Sequence, residues 1–312
     1  MKKETLTRPA VVTLLACLCC LLWGSAVPFI NLGYRLFAIP EGETASQILF
    51  AGCRFTLAGL LAVAITSVQH RHVVLPRPGN WGRVARLSLV QTIAQYVFFY
   101  IGVAHTTSVK GAIIQGLSAF VTILIACYLF RTERMNARKW LGGLIGVAGI
   151  VLVNMDGMHI DPSVSLLGEG FLVISMCAAA VSSGLIKRYS QHEEPVCLSG
   201  WQFVLGGAAM IGVGLLFGGR LHPQSLLAMP VLLYLAMISA VAYSIWAVLL
   251  KVNPVSRVAV FTFLQPVFGV LLSLLLVDRG ADVPLLRYGA ALVLICVSIA
   301  VVNGAQQREA RP

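Results

Sequence analysis

The sequence predicts an all-α integral membrane protein, with ten transmembrane helices arranged as two inverted five-helix repeats. Three observations lead there: the composition, ten apolar runs, and an uneven division of Lys and Arg between the loops. Of 312 residues, 58% are hydrophobic and 11% are charged, and mean hydropathy is +0.86. An ordinary soluble domain carries roughly 25% charged residues, so these charges are too few to coat a soluble surface. Disorder requires low hydrophobicity and high net charge, and the same figures exclude it.

The apolar runs fall near 10–31, 46–67, 84–104, 111–130, 140–156, 167–186, 197–217, 229–250, 258–277 and 285–303. Each is close to the ~20 residues that cross a ~30 Å hydrocarbon core as a helix. None alternates in the ~10-residue segments of a membrane β-barrel. Run 1 follows Lys2, Lys3 and Arg8 and continues to about Ile30. That is too long for a signal-peptide core, so it reads as an uncleaved span. Run 2 carries Arg54, and runs 3 and 4 carry polar stripes. Run 5 carries Gly142, Gly146 and Gly149, a small-residue spacing that permits close helix contact within the chain or with a second copy. Runs 6, 8 and 9 carry Ser, Tyr, Trp, Thr and Gln, whereas run 10 is nearly featureless apart from Asn303.

The net charge of +11 raises the question of nucleic acid. A nucleic-acid binder gathers its basic residues on one folded face, but these lie in short clusters between apolar runs. With the N-terminus inside, 17 of the 23 Lys and Arg fall in inside loops and tails and five outside. This is a strong positive-inside bias. It gives a multi-pass protein of the plasma or inner membrane with both termini cytoplasmic and an even number of spans. An odd number of spans in each half makes the halves inverted, as in many secondary transporters. The repeats are then 10–156 and 167–304, with 1–9 and 305–312 as cytoplasmic tails. At an offset of 148, Phe55, Leu57 and Gly59 of run 2 coincide with Phe203, Leu205 and Gly207 of run 7.

The chain resembles the drug/metabolite transporter superfamily, specifically its EamA-type ten-helix members. The residues that carry the resemblance are Trp23–Gly24–Ser25 with Pro28, Arg54, Gly102–Val103–Ala104 through Thr107, Glu133, and Trp140–Leu141–Gly142 with Gly146 and Gly149. The second half adds Gly168–Glu169–Gly170, Lys187, Leu264–Gln265–Pro266 and Gly289. Two positions depart from the pattern: Ser118–Ala119 stands where a Pro is frequent, and Arg279 follows the acidic Asp278. The resemblance implies two EamA domains, a central cavity between the halves, and movement of small organic solutes, often export of amino acids or other metabolites.

Arg54 is the one charge clearly inside the membrane, about 12 Å deep at 1.5 Å per residue. A charge there costs at least ~2.5–3.5 kcal/mol, so it must find partners. It is either an anchor for a substrate carboxylate or gate, or a structural Arg bonded to helix carbonyls. Gln91 and Gln95 share a face at i, i+4, and Tyr96 and Tyr100 repeat that spacing. Gln115, Ser118 and Thr122 form one stripe. Ser175, Ser182 and Ser183, then Tyr243, Ser244 and Trp246, then Thr262 and Gln265 continue the pattern. The candidate cavity set is therefore Trp23, Arg54, Gln95, Tyr100, Gln115, Ser118, Ser182, Tyr243, Trp246 and Gln265, with spans 3, 4, 6, 8 and 9 as walls and 5 and 10 facing lipid or a partner. The plain alternative is that Ser, Thr and Gln glue helices together. Glu169, His105 and Lys187 are gating or coupling candidates. Pro28 and Pro266 are candidate helix breaks.

No metal or cofactor is expected. Cys17, Cys19 and Cys20 do not share one face, and the eight Cys read as apolar fillers. The expected partners are a small-molecule solute and the bilayer, with a homodimer through small-residue faces of spans 5 or 10 as a further option. The competing class is an integral-membrane enzyme acting on a lipid-linked substrate. It needs clustered His, Asp or Glu, whereas the six His are scattered over different loops.

Overall fold

The computed structural model describes residues 3–106, 108–154, 165–276 and 285–309. Within them the chain is helical, with no strand. The long helices are α1 (Pro9–Leu36), α2 (Thr44–His70), α3 (Trp81–Ala104), α4 (Lys110–Leu129), α5 (Ala137–Val153), α6 (Leu166–Tyr189), α7 (Pro195–Leu216), α8 (Ala228–Val252), α9 (Val255–Leu272) and α10 (Leu286–Gly304). Nine of them are long and apolar enough to cross a membrane. The other, α5, has 17 residues and covers about 25 Å at 1.5 Å per residue. Nine of the ten expected crossings thus reach that length among the described residues. Residues 155 and 156, which the sequence reading places in the fifth span, lie outside that set, as do Lys2, Thr107, Asp278 and Arg279.

Local chemistry sets the helix ends. Asn136 caps α5 by accepting from the Lys139 N–H at 2.9 Å. Glu194 caps α7 by accepting from the Cys197 N–H at 2.6 Å, with Pro195 in the first turn. Each satisfies an amide that the helix leaves without a partner. Several spans are irregular inside. α3 has a π-helical stretch at Ser88–Ala94, α6 opens with one at Leu166–Gly170, and α9 tightens to a 3-10 turn at Val260–Phe263.

The break expected at Pro28 is absent, since α1 runs through it without interruption. Proline removes one backbone bond, and packing compensates here. A Cβ added at Gly24, one turn earlier, would lie 2.8 Å from the Phe268 Cβ on α9. The irregularity in α9 lies just before Pro266 rather than at it, because proline tolerates the first turn of the helix that restarts at Leu264.

Two antiparallel seams hold the bundle. At the first, a Cβ on Gly52 of α2 would lie 2.9 Å from the Gly207 carbonyl of α7, and one on Gly207 would lie 2.8 Å from the Gly52 carbonyl. Gly59 and Gly200 repeat the exchange at 2.5 and 3.3 Å. The contact is reciprocal, and the two helices meet backbone to backbone. At the second seam, Gly142 of α5 lies against the Ser298 carbonyl of α10 and Gly149 against that of Ala291. The Ser298 hydroxyl donates to the Gly142 carbonyl at 2.6 Å. The small-residue face of span 5, which the sequence leaves open to contact within the chain or with a second copy, is filled by α10 and by Phe263 against Gly146. A helix face with no side chains lets a neighbour approach closely, and the chain's own helices reach it first. All eight cysteines are free thiols.

A buried ion pair ties α5 to the start of α9. The Lys139 ammonium is wholly buried and lies 3.0 Å from the Glu133 carboxylate. Glu133 also accepts from the Ser256 N–H at 2.9 Å and from the Ser256 hydroxyl. Breaking a buried pair strands a charge and costs about 3–5 kcal/mol. Glu133→Gln is therefore expected to lower the thermal unfolding midpoint markedly. A midpoint equal to the parent's would refute this role for the pair.

Candidate functional site

The polar stripes on α3, α4, α6, α8 and α9 converge on one cavity of about 360 Å³ between the helices. This is within the ~300–1,000 Å³ of small-molecule sites. All ten candidate residues line it: Trp23, Arg54, Gln95, Tyr100, Gln115, Ser118, Ser182, Tyr243, Trp246 and Gln265. α1 and α2 also contribute walls, through Trp23 to Ile30 and through Arg54. α5 and α10 contribute no lining residue.

The polar groups in the wall divide into two kinds. The hydroxyls are mostly spent on carbonyls. Ser175 donates to the Gln95 carbonyl across the α3–α6 contact at 2.7 Å. Thr122 donates to Ser118 at 2.6 Å, Ser182 to Ala179 at 2.7 Å, Ser239 to Leu235 at 3.1 Å and Thr262 to Ala259 at 2.7 Å, each within its own helix. Of these, only Ser175 joins one helix to another; the other four return to their own helix. Four other groups are buried without a hydrogen-bond partner: Trp23 Nε1, Arg54 Nε, Gln91 Oε1 and Gln115 Nε2. All four residues line the cavity. A buried donor or acceptor left unpaired costs about 1–3 kcal/mol, so these four are the least satisfied polar groups of the wall.

Arg54 is 5% exposed. Its guanidinium carbon lies 4.3 Å from the Phe55 ring centroid and 5.9 Å from that of Tyr96. Ring faces attract a cation and offset part of its desolvation. No carboxylate lines the cavity. The Tyr96 and Tyr243 hydroxyls bond each other at 2.6 Å across α3 and α8. Trp23 meets Tyr243 and Trp246 edge-on at 5.1 and 5.0 Å, in the T-shaped geometry that rings prefer. The cavity thus has an aromatic wall and one positive charge.

The three gating candidates lie off the cavity. Glu169 accepts from the Thr106 hydroxyl at 2.7 Å and the Ser165 N–H at 2.8 Å, and pairs with Lys110 at 3.1 Å. It fastens the start of α6 to the α3–α4 turn. His105 is exposed at the end of α3, its Nδ1 2.8 Å from the Ile101 carbonyl. Lys187 donates to the Lys251 and Asn253 carbonyls at 3.1 and 2.8 Å, a cation at the negative end of α8. Two lining residues were missed but legible. Phe99 continues the Gln91–Gln95 stripe by four, and Ser239 precedes Tyr243 by four. Ala112, Ala179 and Gly269 also line the cavity, and nothing in their type signals it. Among the described residues no three His, Cys, Asp or Glu gather as metal ligands.

The sequence profile of the EamA-like transporter family matches residues 11–155 and again residues 166–304. The chain belongs to the EamA-like transporter family. An EamA chain is a membrane transporter rather than an enzyme, and the reading as a lipid-acting enzyme falls with that. Among curated relatives, an uncharacterised transporter of Synechocystis is 28% identical, over 90% of this chain and 88% of its own. A probable amino-acid metabolite efflux pump of Salmonella typhimurium is 27% identical over 95% and 97%. A WAT1-related chloroplastic protein of Arabidopsis thaliana is 26% identical over 86% of this chain, which spans 66% of that protein's length. A solved crystal structure covers 96% of this EamA chain at a TM-score of 0.77 and 18% identity, a likeness of fold.

Proposed function

We propose that this EamA transporter moves small organic metabolites such as amino acids, as an exporter or facilitator working by alternating access. The unpartnered polar groups around the central cavity carry the reading, with Arg54 as the anchor for a solute carboxylate. The two profile matches and the reciprocal α2–α7 contact support two inverted halves, 10–156 and 167–304, each of five spans. The Lys and Arg bias supports cytoplasmic termini at 1–9 and 305–312 in a plasma or inner membrane. The proposal needs no second copy, since one chain supplies the whole lining. Glu169, His105 and Lys187 serve the ends of the moving helices in this reading, away from the solute.

The test is flux into liposomes holding the purified protein, screened across amino acids, related metabolites and their decarboxylated amines. Saturable, competable flux of solutes bearing a carboxylate is the expected result. Flux no higher than in protein-free liposomes for every solute would overturn the reading.

A further inference from the structure

A second cavity, of about 280 Å³, lies at the end of the bundle that carries the basic loops. Arg83, Arg86, Arg188, Tyr189 and His192 line it. Arg83 and Arg86 share one face of α3 at i, i+3. Arg188 and Tyr189 close the last turn of α6, and His192 follows in a turn held by its N–H to the Tyr189 carbonyl at 2.9 Å.

The nearby acids are already engaged. Glu193, 7% exposed, accepts from the Asn80 amide at 2.8 Å and from the Arg77 and Glu194 N–H groups at 2.9 and 3.2 Å. Glu194 caps α7. Arg83 donates to the Asn80 side-chain oxygen at 2.5 Å, so it reaches Glu193 only through a neutral amide. Among the described residues, the ion pairs are Lys110–Glu169 and Lys139–Glu133, and neither involves this cavity. Three guanidiniums and an imidazole therefore face one concavity with no anion in its wall. The insertion bias asks only that basic residues stand on the correct side. It does not ask two helices from different halves to aim them into a common pocket.

The guanidinium fork matches the oxygens of a phosphate, two donors to two acceptors. Depth in the membrane narrows the source. Trp81, 39% exposed, meets Trp201 edge-on at 5.3 Å, and the Trp201 indole donates to the Val74 carbonyl at 2.9 Å. Half-exposed indoles sit at headgroup level, and Trp81 lies two residues before Arg83.

We propose that this cavity binds a phosphate-bearing anion, and that the headgroup of an anionic phospholipid in the surrounding leaflet supplies it. Basic pockets between spans take such headgroups. Because α3 and α6 both contribute, a bound headgroup fastens the first half of the chain to the second.

The test follows thermal unfolding of the purified protein in detergent at constant ionic strength. Short-chain phosphatidylglycerol, short-chain phosphatidylcholine and inorganic phosphate are added in separate arms. Phosphatidylglycerol is expected to raise the midpoint saturably and phosphatidylcholine to leave it unchanged. In the double variant Arg86→Gln/Arg188→Gln, both of whose side chains are exposed, half-saturation is expected to need at least about tenfold more phosphatidylglycerol, as fits losing charge-assisted bonds. Saturation by inorganic phosphate at the same concentration would overturn the lipid source. An equal response to both lipids, or an unchanged response in the double variant, would overturn the site.

Discussion

Arg54→Ala is expected to cut flux of a carboxylate solute at least about tenfold below saturation. A hydrogen bond to a charged partner contributes about 1.5–3 kcal/mol, and 1.4 kcal/mol is tenfold in affinity. Arg54 is the one cation in the cavity lining and no acid lines it, so nothing else there neutralises a carboxylate. Arg54→Lys keeps the charge and loses the planar fork, and intermediate flux is expected. The decarboxylated amine of the same solute gains nothing from Arg54, so its flux should not fall in the alanine variant. A structural Arg behaves differently. Its removal would lower the amount of folded protein and change the flux of every solute alike. Size-exclusion profiles taken beside the flux separate the two. Unchanged carboxylate flux in well-folded Arg54→Ala would remove Arg54 from the site.

A large effect on helix packing is expected from Gly59→Val. A Cβ there would stand 2.5 Å from the Gly200 carbonyl oxygen and 2.6 Å from the Val204 nitrogen. Both obstacles are backbone, so no rotamer change relieves them and the helices must part by about 1 Å. Overpacking costs typically 1–3 kcal/mol, and lipid offers no hydrophobic drive to press the helices back together. Gly207→Val meets the Gly52 carbonyl at the reciprocal position and should behave alike. Gly212→Val is the control, since it lies on the same helix α7 with nothing within 4 Å of an added Cβ. The expected order of folded yield and unfolding midpoint is parent and Gly212→Val together, with the two seam variants well below. Equal midpoints for Gly59→Val and Gly212→Val would show that the seam yields.

Much of this was legible in the sequence because membrane insertion writes itself in composition. Apolar runs and basic loops announce α1 to α10 without any knowledge of their packing. The cavity residues were legible for a related reason. A polar side chain at helical spacing within an apolar span must face something other than lipid, so Gln95, Gln115 and Gln265 reveal their direction. Spacing does not reveal what each group bonds. Ser182 and Thr122 share stripes with Gln115 and Ser175, yet their hydroxyls turn back onto their own helices. Arg54 stays open between substrate and scaffold for the same reason, and its place in the cavity wall beside the Phe55 and Tyr96 rings shows only in three dimensions. Lys187 reads as a gate because it is charged and near a span end, and a cap for a helix end 64 and 66 residues further along the chain leaves no local trace. The same holds for the glycines of α5, whose spacing fits a second copy and α10 equally.

The hydroxyls spent on carbonyls change the electrostatics of the central cavity. A wall of free hydroxyls reorients around a charge and screens it, whereas dipoles already locked into bonds respond little. Two unit charges about 6 Å apart attract by about 0.7 kcal/mol in bulk water and by about 3 kcal/mol at an effective dielectric constant of ~20. A wall that polarises weakly moves Arg54 toward the second figure. Its field then spans the cavity, and under the proposed function a carboxylate solute is expected to be drawn inward before it makes contact.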